Sequence, residues 1–157
     1  MARHDFEEIL ESVKQIMVNN FNAKLTSITT EKGDSIVLPS VDANAYFLQS
    51  MDEREASFDP IIVYGIENIE TDSKGPFSSE KIFISAVILL SDNGRNDINL
   101  IMFRYSRAFK EIFEEKWQIH NSSSKINVSR STVVPFEALD SSATYKAIGI
   151  EIEINLA

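Results

Sequence analysis

From Ile148 to Leu156 an aliphatic residue stands at every second position: Ile148, Ile150, Ile152, Ile154 and Leu156 alternate with Gly149, Glu151, Glu153 and Asn155. Side chains point to opposite faces at successive positions of a strand, so a period of two means one buried face and one polar face. The segment Thr144–Leu156 therefore predicts a strand of a sheet that has a core against it. An acidic pair, Glu151 and Glu153, lies on the other side.

A second segment limits how that sheet is covered. In Glu80–Leu90 the residues Ile82, Ile84, Ala86, Ile88 and Leu90 share one face, while Phe83, Val87 and Leu89 share the other. Apolar residues on both faces imply burial on two sides, by the core and by something else, for which another subunit is a candidate. Pro60–Ile69 opens on the β-branched run Ile61-Ile62-Val63 before Tyr64, typical of a buried strand. Thr71–Ser79, centred on Lys74-Gly75-Pro76, reads as turn chemistry. Lys125–Val134 reads as a strand that ends at Pro135.

Two helices are expected. Phe6, Ile9, Leu10, Val13, Ile16 and Met17 give the i, i+3, i+4, i+7 stripe of an amphipathic helix over Asp5–Asn20, with Asp5 and Glu8 at capping-box spacing. Ile98, Ile101, Met102, Tyr105, Phe109, Ile112 and Phe113 form a second stripe running towards Trp117, with Asn96 or Asp97 as its N-cap. Between them Lys24–Leu38 reads as a small hairpin about Glu31-Lys32-Gly33-Asp34, and Pro39 ends it. Ser40–Asp59 is irregular, a loop or a short surface helix at Met51–Glu55, anchored by Ala45–Leu48. The order implies an α+β fold: a mostly antiparallel sheet with an N-terminal helix and one long central helix packed on one face. We expect a single domain over 1–157, with 22–59 as a hairpin plus irregular insertion.

Composition narrows the function. A chain of 157 residues buries roughly 70% of its unfolded surface, and 43% hydrophobic content with 10 Phe is enough to fill that interior. The absence of Cys excludes disulfides, thiol chemistry and the usual structural zinc sites. A net charge of −9 argues against a dedicated nucleic-acid binder, whose affinity rests on Lys and Arg. The opening residues lack the pattern of a signal peptide, and the longest apolar run is too short to span a bilayer, so a cytosolic chain is expected.

No group of residues meets the requirements of catalysis, and we expect no catalytic, cofactor or metal site. His4 and His120 have no Ser, Asp or second His at catalytic or ligand spacing. Asp92–Asp97 departs from a calcium loop, because Phe103 stands where the closing Glu belongs. Asn121-Ser122-Ser123 and Asn127-Val128-Ser129 match the glycosylation sequon only as chance composition. Arg104, Arg107 and Lys110, with Arg95 upstream, line one side of the second helix. They read either as a solvated face partnered by Glu111, Glu114 and Glu115 or as a basic stripe meeting an acidic neighbour. Glu151 and Glu153 are about 7 Å apart on one strand face with no third polar partner, so they read as an acidic row rather than an acid–base pair.

This succession resembles the tail terminator and tail-completion (neck) proteins of long-tailed bacteriophages. The matching pieces are the helix Phe6–Met17, the strands Pro60–Tyr64 and Lys81–Val87, the helix Ile98–Trp117 and the final strand Tyr145–Leu156. Asn22–Asp59 is longer than that pattern. The resemblance implies a virion structural protein, not an enzyme, made in the host cytoplasm. It implies a ring homo-oligomer, a hexamer, that caps the tail tube, meets the tail tube protein and a head-side neck protein, and passes DNA through its lumen without specific binding. The second helix and terminal strand would then be assembly surfaces, with Glu151 and Glu153 facing the lumen. Two other readings stay open: a small-molecule-binding or isomerase-like domain with a pocket lined by Phe83, Phe109 and Trp117, and a metal-dependent nuclease built on scattered Asp and Glu.

Overall fold

The first helix runs well beyond its expected end. In the computed structural model, which describes residues 5–48, 58–74, 77–91, 96–115, 118–120, 125–137 and 145–156, helix α1 spans Phe6–Lys32. The hairpin expected at Lys24–Leu38 does not form. Buried positions recur along α1 at Ile9, Val13, Met17, Phe21, Leu25 and Ile28, so helical spacing continues through the β-branched stretch. Burial outweighs the modest helix propensity of Thr and Ile. The hydroxyls of Thr26, Thr29 and Thr30 each donate to the carbonyl four residues back, at 3.1, 2.9 and 3.0 Å, which satisfies them inside the helix. Gly33, read from sequence as a turn residue, is the C-cap. It adopts the left-handed conformation (φ 61°), and its N–H donates to the Thr29 carbonyl at 3.1 Å. At the other end the Asp5 carboxylate accepts from the Glu7 and Glu8 backbone N–H groups.

The strap from Gly33 to Val41 then runs beside the helices and ends in a turn, where the Ala45 N–H donates to the Asp42 carbonyl at 2.9 Å. The Asn22 side chain mimics a strand partner for it: its Nδ2 donates to the Val41 carbonyl and its Oδ1 accepts from the Val41 N–H, both at 2.8 Å. The Tyr105 hydroxyl donates to the Pro39 carbonyl at 2.7 Å.

The sheet has six strands in the order β1-β2-β3-β6-β5-β4: β1 (Tyr46–Leu48), β2 (Ile61–Lys74), β3 (Phe77–Ser91), β4 (Gln118–His120), β5 (Lys125–Glu137) and β6 (Tyr145–Leu156). Helix α2 (Ile98–Glu115) connects β3 to β4, and the Asp97 carbonyl accepts its first bond from Ile101, which places Asp97 at the cap position. Among the described residues only the β1–β2 pair is parallel, so the fold is α+β with a mostly antiparallel sheet. Residues 49–57, including the expected short helix at Met51–Glu55, lie outside the described residues, as do Gly75 and Pro76.

Two further boundaries move. Thr71–Ser79, expected as turn, belongs mainly to the two strands: β2 and β3 stay in register down to Lys74 opposite Phe77. Strand β5 continues past Pro135 to Glu137. Pro135 lies beyond the reach of β4, which pairs only with Lys125–Asn127, so its missing N–H leaves no bond of the β4–β5 ladder unmade.

Ile82, Ile84, Ala86 and Ile88 of β3 stand directly opposite Ile154, Ile152, Ile150 and Ile148 of β6, and all eight are buried. This aliphatic face carries the helices. Phe21 of α1 packs on Tyr105 and Phe109 of α2 with ring centroids 5.9 and 4.7 Å apart, joining the helical layer above the sheet.

Candidate assembly surfaces

The expected basic stripe of α2 divides by depth. Arg104 is buried, with 8% of its surface exposed, and its guanidinium grips the carboxylate of Asp34 in the strap as a two-pronged fork. That contact holds the Asp34 carboxyl well down, to about 2, chiefly through the hydrogen bonds from Arg104. Arg107 is half-buried and joins Glu31 at the end of α1 to Glu111 one turn along α2. Glu31 is held below the usual carboxylate range by Arg107. Lys110 is exposed and lies 3.8 Å from Glu114. Across the same seam Lys24 of α1 reaches Glu115 at 2.6 Å and Glu111 at 3.9 Å. Arg104 and Arg107 are therefore seam residues between α1, the strap and α2. Lys110 alone of the three faces solvent.

Glu151 and Glu153 project from the side of the sheet away from the helices, and both are half-buried. Glu151 stands opposite Ser85 of β3, and Glu153 opposite Phe83; Lys81 ion-pairs with Glu153 at 3.4 Å. Among the described residues this face carries no helix. It is graded along the strands. Towards β1 it is apolar, with Phe47, Val63, Val87 and the fully buried Leu89, and Phe58 lies over Phe47 with ring centroids 6.4 Å apart. Towards the other end it becomes Ser85, Glu151, Phe83, Glu153 and Lys81.

The pocket expected from Phe83, Phe109 and Trp117 is not assembled from its described members. Phe109 is fully buried in the helical layer, whereas Phe83 lies on the opposite face of the sheet. Trp117, Arg95, His4, Asp92 and the Asn121 sequon lie outside the described residues. No three acidic or imidazole side chains among the described residues come together as metal ligands. None of the described helices is long and apolar enough to cross a membrane.

Sequence reasoning missed Asp34, Glu31 and Asn22. Asp34 and Arg104 are 70 positions apart. No local pattern links them, and Asn22 declares itself only once the strap lies beside it.

Beyond the helix stripe on α2, the pairing of β2 with β3 has its own consequence for surface shape. Register contacts between β3 and β6 end at Glu80 opposite Leu156, but β2 and β3 continue together from Thr71–Glu80 to Lys74–Phe77. At about 3.4 Å per residue this projects a hairpin arm roughly 10 Å past the neighbouring strand.

Comparison with known proteins adds little to this geometry. No protein-family model matches the chain, and no curated protein matches it. One solved structure aligns over 91% of this chain and 94% of its own at 9% identity and a TM-score of 0.47, a likeness too distant to inform function.

Proposed function

We propose that this chain is a structural subunit of a long-tailed phage tail or neck, of the tail terminator type. It forms a ring that caps the tail tube and joins it to the head. The observation that carries this reading is the second face of the sheet. Both helices pack on one face of β3, yet on the other face Phe83 and Val87, set among Ser85 and Lys81, are only half-buried, while Leu89 at the β1 end is fully buried. A strand of that composition suits a sheet placed between its own helices and the interior of an assembly.

In such a ring the helices face outward and the face bearing Glu151 and Glu153 lines the lumen. Carboxylates there repel phosphate, so DNA passes without being held. The projecting β2–β3 arm supplies a contact to an adjoining subunit or layer. The partners are copies of the same chain, the tail tube protein and a head-side neck protein, and the mature location is the virion.

Size-exclusion chromatography with light scattering, followed by negative-stain imaging alone and with polymerising tail tube protein, tests the proposal. Rings, or tubes that stop at a defined length on addition of this protein, are the expected results. A chain that stays monomeric at high concentration and leaves tube growth unchanged would exclude it.

A further inference from the structure

Among the described residues, both edges of the sheet are paired over only part of their length. On the β2 side, β1 pairs only with Ile62–Tyr64, leaving Gly65–Lys74 without a neighbour among the described residues. On the β5 side, β4 pairs only with Lys125–Asn127, leaving Val128–Glu137 open in the same sense. The two open stretches are equal in length, and long open edges are templates for pairing with another chain. Their directions also suit each other. β2, β3, β6 and β5 alternate in direction, so β5 of one copy beside β2 of the next continues the antiparallel order.

The strips β1 and β4 cover diagonally opposite parts of the two edges. Asn68, Phe83, Glu153 and Arg130 lie level across the sheet. Measured from that line, the open part of β2 runs towards the hairpin arm, and the open part of β5 runs the other way. Copies set level with each other would therefore pair only briefly. Full use of both edges needs the second copy displaced along the strands by four to six residues. An odd displacement would set residues of the helix-bearing face opposite residues of the other face, so it must be even.

We infer that copies of this chain join edge to edge, β5 to β2, with a stagger of four residues, and so close a continuous barrel. In that register Asp72 stands directly opposite Arg130 of the next copy, Glu70 opposite its Thr132 and Ile69 opposite its Val133. The join thus places an acid on a base and an exposed aliphatic residue on another aliphatic one (Ile69 is 40% exposed). On the open β2 edge Glu67, Glu70 and Asp72 outnumber Lys74, while Val128–Glu137 carries Arg130 and Glu137, of which only Arg130 falls opposite the acidic part of β2 in this register.

Closure follows from the same number. A four-residue stagger advances about 14 Å along the strands for every four strands, which span roughly 19 Å. The strands then lean about 35° from the ring axis, at the lower end of the range of roughly 35–45° for closed barrels. Six residues would give about 47°, outside it. The lean does not depend on how many copies close the ring. β2 and β5 also each carry a bulge, at Ile66/Asn68 and Val128/Arg130, on either side of the Phe83–Glu153 line. Bulges at that level bend the sheet, as closure requires.

This inference deepens the ring reading and rests on it. The chain has no Cys, so single cysteines report cleanly. Asp72→Cys and Arg130→Cys proteins, mixed and treated with a short bismaleimide linker, should give a covalent dimer. The double variant should give a ladder ending at the ring number. Asp72→Cys mixed with Glu137→Cys should give none. As a second measurement, Asp72→Arg should weaken association at least tenfold, and adding Arg130→Asp should restore it, with circular dichroism melts verifying folding. Oligomers that form without the Asp72–Arg130 cross-link and without charge-swap rescue would overturn the edge pairing and leave the ring standing. A chain monomeric under all conditions would overturn both.

Discussion

Arg104 of α2 holds Asp34 of the strap by two parallel hydrogen bonds, Nη1 donating to Oδ1 at 2.9 Å and Nη2 to Oδ2. The geometry suits a planar guanidinium, whose fixed fork meets both oxygens of a carboxylate at once. It also determines how the fold responds to acid. The folded Asp34 carboxyl titrates at about 2, below its ordinary 3.8. A lowered carboxyl contributes stability that is fully present above the ordinary value and is lost as pH falls through the folded one. The contribution should therefore be intact at pH 5 and decline between about pH 4 and 2. Urea denaturation at steps across that window should show the wild-type midpoint falling more steeply than that of Asp34→Asn, which lacks the titration. Equal slopes would mean the fork does not persist in solution. Arg104→Lys, which keeps the charge but not the fork, should melt several degrees lower, whereas Lys110→Ala on the exposed side should cost under about 0.5 kcal/mol.

The hinge between helix and strap makes a sharper demand on one residue. Gly33 adopts φ 61°, and a Cβ built there meets nothing within 4 Å. Space is thus no obstacle, and any cost of a side chain comes from the backbone. Gly33→Ala should destabilise by about 1 kcal/mol, and Gly33→Asn by less, since Asn tolerates the left-handed region better. A denaturation series across the three proteins reads the order directly. An Ala variant as stable as wild type would show that α1 ends differently.

How much of this was legible beforehand depended on whether local period and burial agreed. They agreed in Tyr145–Leu156 and in Ile98–Glu115, and both elements stand where the sequence places them. They conflicted at Lys24–Lys32, where Leu-Thr-Ser-Ile-Thr-Thr favours strand by propensity. The spacing Met17, Phe21, Leu25, Ile28 is nonetheless helical, and the long-range partner of that stripe, the Tyr105–Phe109 side of α2, could not be seen locally. The period of two sets Glu151 and Glu153 on the face of β6 opposite its isoleucines, the face they share with Phe83 and Ser85. The arginines were harder. Arg104 and Arg107 look alike in sequence, and only the strap's path over α2 buries one and leaves the other at the rim.

The helical reading of that disputed segment has a direct consequence for stability. Leu25 is 2% exposed inside the helical layer, a position an exposed hairpin would not provide. Leu25→Ala should cost 2–5 kcal/mol, roughly, as for other buried leucines. Asn22→Ala, which strips Val41 of both its hydrogen-bond partners, should cost about 1–2 kcal/mol. Hydrogen exchange would separate the two effects. Asn22→Ala should speed exchange at the Val41 amide while α1 stays protected, and Leu25→Ala should loosen the helix itself. Uniform loss of protection in both proteins would deny the strap any independent tether.

Glu151 and Glu153 offer a test of which way the sheet faces in the assembly. If they line a channel, replacing both by Gln removes two negative charges per subunit from a confined surface while keeping side-chain shape. Phosphate repulsion in the channel then falls, and the assembled Glu151→Gln/Glu153→Gln protein should retain DNA at low salt that the wild type releases. Since the interaction is one of exposed charges, added salt should erase the difference at an ionic strength where the screening length drops to roughly 3–8 Å. Glu153 also loses its 3.4 Å pairing with Lys81 in this variant. Lys81 is itself half-exposed, so the effect on folding should stay within about 1 kcal/mol, and melting curves verify it. Filter retention of labelled duplex DNA by assembled protein, across a salt series, makes the comparison. Identical retention by the two assemblies at every salt concentration would place the acidic row outside the channel and turn the helices inward.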